Sequence, residues 1–120
     1  MAQHYRQLIA WQKAMALVSE AYRLTKTFPR DEIFGLVSQV RRSAVSVPSN
    51  IAEGQGRRTK GEFIQFLGHA YGSLLEMETQ VTIADNLGYL PGGDADAFLF
   101  QSAEVGRIIN GLISSLTTDH

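Results

Sequence analysis

The sequence predicts an all-α protein, an antiparallel up-down bundle of four helices forming one domain over residues 1–120. Apolar residues recur at three- and four-residue spacings along four segments. No segment alternates with period two over the length of a strand. Short stretches with glycine or proline separate the four segments. A chain of this length buries roughly two-thirds of its unfolded surface and has one core to build.

The first helix is expected from about Gln7 to Lys26, with Leu8, Trp11, Met15, Val18 and Tyr22 on one stripe. Phe28-Pro29 ends it. Asp31 is a suitable N-cap for the second helix, whose stripe is Ile33, Val37, Val40, Ala44, Val47 and Ile51. Pro48 lies inside that stripe. Because proline lacks the N–H and clashes with the preceding turn, a kink or short break is expected near Val45 to Val47, with helix resuming until Gly54. Gly54 to Arg58 reads as a loop. Thr59-Lys60-Gly61-Glu62 has the form of a capping box opening a third helix. There Phe63, Leu67, Ala70, Leu74, Met77, Val81 and Ala84 keep a heptad, which favours shallow packing angles.

Gly88 is placed to end the third helix, and residues 89–93 connect to a fourth that Asp94 can cap. Phe98, Leu99, Ala103, Ile109, Leu112, Ile113 and Leu116 supply its apolar face. Short connections make consecutive helices antiparallel. The third and fourth helices also carry Phe66, Leu75, Ile83, Phe100 and Ile108 away from their main stripes. A single bundle needs one stripe per helix, so this surplus predicts contacts between subunits.

Hydrophobic residues make up 44% and charged residues 19%, a globular composition. With no cysteine, disulfides, thiolate metal sites and cysteine nucleophiles are excluded. The polar residues from Met1 to Ala10 do not read as a signal peptide, and no apolar run approaches the roughly 20 residues of a membrane span. A cytoplasmic location without membrane contact is expected. Histidine occurs only at positions 4, 69 and 120, and no glutamate has a histidine three residues on, so neither a catalytic triad nor a carboxylate-bridged metal pair can be assembled within one chain. No catalytic residue, cofactor site or metal site is expected. His69, next to the third helix's seam, reads as a surface residue and not as a general base.

The net charge of −1 conceals an asymmetry. Residues 1–60 hold ten of the eleven Lys/Arg and four of the twelve Asp/Glu, a net +6; residues 61–120 hold one and eight, a net −7. Pairing of basic with acidic helices, within the bundle or between subunits, is the ordinary explanation. The other is a basic face for an anion. Arg57, Arg58 and Lys60 stand beside a helix N-terminus, where free backbone donors and the helix dipole favour a phosphate. The order of residues is not that of a nucleotide-binding loop, and no strand precedes it. Arg41 flanks the second helix's seam with Arg42 further out, and pairing with Glu76 and Glu78 competes there with nucleic-acid contact. Glu53, in a C-terminal turn, is expected to have a partner.

Trp11-Gln12-Lys13, the run from Ser38 through Arg41-Arg42 and Pro48 to Gly54, then Gly56-Arg57, Phe63 to Leu67, Ala70 and Gly72-Ser73-Leu74 resemble the four helix bundle protein family, also called the 23S rRNA intervening-sequence proteins. The resemblance covers about residues 5 to 116. It implies an antiparallel four-helix bundle assembled as a homopentamer around a central channel. The family is named for open reading frames inside intervening sequences of large-subunit ribosomal RNA genes, a genomic location and not an activity. A structural relative, the accessory variability determinant of diversity-generating retroelements, is a strongly basic barrel that binds a reverse transcriptase and nucleic acid. The net charge of −1 departs from that relative and argues against strong nonspecific nucleic-acid binding. Two roles follow. One is a non-catalytic oligomeric accessory factor contacting RNA or DNA through Arg57, Arg58, Lys60, Arg41 and Arg42. The other is a scaffold docking a protein partner, with no nucleic-acid contact.

Overall fold

Helix α1 (Ile9–Thr25) follows a 3-10 turn at Tyr5–Gln7, and α2 (Leu36–Gln55), α3 (Lys60–Asn86) and α4 (Asp94–Thr118) complete an all-helical chain. The structure, a computed structural model, describes residues 4–118. Helix α1 packs on α2, α2 on α3, α3 on α4 and α4 on α1, and among the described residues the backbones do not approach closely across either diagonal. The connections are short relative to the helices, so neighbours run antiparallel around a square. The α1/α2 groove therefore lies on the opposite side of the molecule from the α3/α4 groove. At roughly 1.5 Å per residue α3 spans about 40 Å, most of the 48 Å long axis.

The heptad expected in α3 is the one buried: Leu67, Ala70, Leu74, Met77, Val81 and Ala84 are all in the core, with Phe63 half-buried at its start. Thr59 caps the helix by accepting the Glu62 N–H at 3.1 Å, and its hydroxyl donates to the Glu62 carboxylate at 3.0 Å. At the other end Gly88 adopts φ +79°, the Tyr89 N–H reaches the Ala84 carbonyl, and the Gly88 N–H reaches that of Asp85. These are the two bonds of a Schellman motif, and they need the positive φ that glycine tolerates.

Helix α1 differs from expectation. Its buried line is Ala10, Ala14, Leu17, Ala21 and Leu24, one position round from Trp11, Met15, Val18 and Tyr22. Trp11 and Val18 are half-buried, while Met15 and Tyr22 are exposed. The alanines let α1 approach its neighbours closely, and the larger side chains are displaced to the flank. In α4 the core line is Ala95, Phe98, Ser102, Val105 and Ile109; Leu99 is half-buried and Ala103 exposed, again one position off. Asp94 is the first residue of α4, where the helix dipole favours its carboxylate.

Helix α2 runs through Pro48 without the expected break. Only one ladder bond is lost to the proline, and Val47, Pro48 and Ile51 are held in the core on both sides of it. The Asn50 side chain donates to the Ser46 carbonyl at 2.8 Å one turn earlier. Asp31 is not the N-cap: it sits in a 3-10 turn at Arg30–Glu32, and the Glu32 carboxylate accepts the Leu36 N–H at 3.1 Å. Ile33 and Phe34 fall outside the helix and are exposed, Phe34 to 94%.

The end of the bundle that holds these residues is tied together by Tyr89. Its ring lies 5.6 Å from Phe28, its carbonyl accepts from the Thr27 hydroxyl at 3.0 Å, and its phenol donates to Glu32 at 2.8 Å. The bond to Glu32, with partial burial and the charges of Glu32 and Asp31, raises the phenol above its ordinary value of 10.0. The folded value is the higher one, so this contribution to stability is whole below about pH 10 and is lost as pH rises through the raised value. In an alkaline titration followed by phenolate absorbance, Tyr89→Phe is expected to remove the late-titrating component. Loss of an ordinary component instead would contradict the Glu32 contact.

Candidate functional site

The turn between α2 and α3 is set by a close approach of the two helices. Gly54 is in α2, buried, and not in a loop as its sequence context suggests; a Cβ placed there would lie 2.6 Å from Phe66 Cβ and 3.1 Å from Phe63. The chain can then turn over residues 56–59 alone. Arg57 bonds back to Glu53 at 3.0 Å, the partner Glu53 was expected to need, and its guanidinium carbon lies 4.6 Å from the centre of the Phe66 ring. Arg57 is thus oriented, although much of its side chain stays in solvent, and the ion pair offsets part of its charge.

Arg58, Thr59 and Lys60 are exposed beside it, Lys60 being the first residue of α3. Together with Leu8, Phe63, Leu112 and Leu116 these residues line a groove of about 360 Å³ with an apolar floor and a cationic rim. The N-terminus of a 27-residue helix, capped by Thr59, opens beside this rim with the positive end of its dipole. The expected trio is therefore brought together, at the end of the bundle remote from Tyr89.

Arg41 and Arg42 do not join it. Gln55 lies thirteen positions along α2 from Arg42, about 20 Å along the axis. Arg41 is turned onto α1: its guanidinium carbon lies 4.5 Å above the Tyr22 ring and its Nε donates to the Thr25 hydroxyl at 2.9 Å. It is a packing residue, and the expected pairing with Glu76 or Glu78 does not form. Glu78 instead accepts from the Ser102 hydroxyl of α4 at 2.6 Å. Arg42 and Glu76 line one groove between α2 and α3 without an ion pair. The Tyr22 and Thr25 contacts of Arg41 had no signal in the sequence, because they depend on how α1 crosses α2.

The charge asymmetry is not consumed inside the chain. Helices α1 and α2 hold four Lys/Arg against two Asp/Glu, and α3 and α4 hold two against seven. Among the described residues one ion pair, Lys13 to Glu104 at 3.8 Å, joins the two sides; of the others, Arg23 to Glu20 is within α1 and Arg57 to Glu53 links the turn to the end of α2. Each side also carries an open apolar groove. Between α1 and α2 it is lined by Trp11, Met15, Val18, Val45 and Pro48, about 330 Å³. Between α3 and α4 it is lined by Leu75, Thr79, Ile83, Leu99 and Ala103, about 540 Å³. Leu75, Ile83 and Phe100, three of the five surplus positions, are exposed, and Phe66 and Ile108 are half-buried.

Among the described residues no group of three or more acidic or histidine side chains is placed to hold a metal ion. His69 is exposed and stands edge-on to Phe66, 5.5 Å between ring centres; His120 lies outside the described residues. No helix is long and apolar enough to cross a membrane.

The model of the 23S rRNA-intervening sequence protein family matches residues 6–111. This chain belongs to that family. A protein of unknown function from the S23 ribosomal protein family of Bacteroides thetaiotaomicron has a similar crystal structure, with a TM-score of 0.81 at 20% identity over 88% of this chain and 98% of that one. At that identity the likeness shows the fold. No curated protein matches the chain. In this member of the 23S rRNA-intervening sequence family, the stretch from Ser38 to Gly54 acts chiefly in packing. Val40, Ala44, Val47 and Ile51 are core, Ser46 meets Ser73 of α3 at 2.8 Å, and Gly54 admits Phe66.

Proposed function

We propose that this chain is the non-catalytic subunit of a cytoplasmic homo-oligomeric ring, five copies by the family resemblance, that acts as an accessory factor to RNA or a ribonucleoprotein. The observation that carries the assembly is the pair of apolar grooves on opposite sides of the bundle, one between the net-positive helices α1 and α2 and the other between the net-negative helices α3 and α4. A patch that matches another patch elsewhere on the same molecule makes a head-to-tail contact, which closes into a ring when the rotation between copies closes and otherwise gives an open filament; the ring is the form the family resemblance implies. The basic α1/α2 side of one copy seats on the acidic α3/α4 side of the next. Every copy then presents its cationic turn at the same rim of the ring. One such turn binds a phosphate backbone weakly; several on one frame bind by avidity.

Binding of RNA and of duplex DNA, followed by fluorescence anisotropy at low and moderate salt, tests the nucleic-acid role. Replacing Arg57, Arg58 and Lys60 by alanine is expected to lower the slope of log affinity against log salt by about one for each cation removed per copy engaged. Equal binding by parent and variant would place the contact elsewhere, with Arg42 the exposed alternative. No binding by the parent even at low salt would leave the protein scaffold as the role.

A further inference from the structure

We propose that the groove at the cationic end of the bundle binds a medium-chain fatty carboxylate, with the alkyl tail on its apolar floor and the carboxylate at Arg58. The floor is the last apolar layer of the bundle. Leu8 precedes α1, Phe63 lies in the first turn of α3, and Leu112 and Leu116 stand one turn apart near the end of α4. One layer further in, Leu67 and Ile109 are fully buried. Phe63, Leu112 and Leu116 are only half-buried, since no further layer covers them, and their outer faces line an open groove of about 360 Å³. That volume falls at the lower end of the range for small-molecule sites, about 300 to 1,000 Å³.

The rim selects the head group. Gln55, Arg57, Arg58, Thr59 and Lys60 line it, and no carboxylate does. The neighbouring Glu53 and Glu62 are bonded to Arg57 and to the Thr59 hydroxyl. Arg58 is exposed and has neither an ion pair nor a hydrogen bond among the described residues, so its guanidinium is left to a ligand, and its fork matches a carboxylate. A phosphate backbone would use the rim alone and leave the floor in water. A nucleobase carries polar edges, and the four floor side chains offer them neither donor nor acceptor. A single negative charge on an unbranched alkyl tail suits both parts. The inference goes beyond the nucleic-acid role and does not depend on the ring. The groove shares no lining residue with the two apolar grooves on the sides of the bundle, so the proposed ring contact does not use it.

The test is titration of the full chain at low salt with acetate, hexanoate, octanoate, decanoate and octanol, followed by the backbone amide signals in NMR. Acetate, a head without a tail, is expected not to bind at millimolar concentration. From hexanoate to decanoate each added CH₂ is expected to tighten binding about twofold to fourfold, the increment for a methylene half to fully buried. The shifted amides should be those around Phe63, Leu112 and Leu116. Octanol, a tail without a charge, is expected to bind about threefold more weakly than octanoate, as for loss of an exposed ion pair. Arg58→Ala, at an exposed position, should weaken octanoate by the same factor and leave octanol unchanged. Leu116→Gln is expected to weaken both about fivefold with helical content unchanged. It keeps every cation of the turn, so RNA binding should match the parent's, and failure of this site is separable from failure of the nucleic-acid role. Affinity independent of chain length, octanol bound as tightly as octanoate, or shifts confined to the side grooves would overturn the site. So would no octanoate binding at millimolar concentration, including the case in which the chain binds only phosphatidylglycerol vesicles.

Discussion

Replacing Gly54 by valine is expected to lower the free energy of unfolding by about 3 kcal/mol, the upper part of the range for overpacking a close-packed contact. The first added carbon would lie 2.6 Å from Phe66 Cβ, an atom fixed to the α3 backbone, and 3.1 Å from Phe63. Neither helix can yield locally, since Val47 and Ile51 hold α2 and Leu67 holds α3 in the same core. Better helix propensity recovers only part of this, about 0.5 kcal/mol for valine over glycine. Chemical denaturation followed by circular dichroism measures it: the midpoint should fall with the slope unchanged. A midpoint equal to the parent's would mean that α2 and α3 do not meet at Gly54.

The paired substitution Leu75→Glu and Ile83→Glu is expected to separate the assembly into single chains without unfolding them. Both residues are exposed in the single bundle, so a glutamate at either position is solvated there. In the proposed ring both would be desolvated in the next copy's α1/α2 groove, whose lining of Trp11, Met15, Val18, Val45 and Pro48 holds no cation, so two carboxylates there are strongly unfavourable. Helical content should be retained, and RNA affinity should fall on the order of a hundredfold as avidity is lost. An oligomer that survives both charges would place the contact on another face.

The elements differ in how much of them the sequence shows, for a physical reason. Helix α3 was legible to the residue because large side chains occupy its heptad and its ends carry local signals, a capping threonine and a glycine that can take positive φ. In α1 the residues that pack closest are alanines, and size points instead to Trp11, Met15, Val18 and Tyr22, which flank the core. The same weighting hid Ala95, Ser102 and Val105 in α4. Gly54 looked like a loop residue because a glycine needed for close approach between helices and one needed for a turn look alike along a chain. The cationic turn was legible, since Gly56, Thr59 and Glu62 act within a few residues of it. The environments of Arg41 and Arg42 were not, because each is set by a residue from another helix, and no spacing within α2 encodes it.

The mass of the full chain by light scattering at micromolar concentration tests the central claim of ring assembly most directly. Complementary grooves and uncompensated charge on opposite sides predict a single closed oligomer whose apolar contact persists at moderate salt, and the family resemblance sets its expected mass at five times the 13.2 kDa chain. A species of 13.2 kDa at that concentration would contradict ring assembly and, with it, avidity as the source of any nucleic-acid binding.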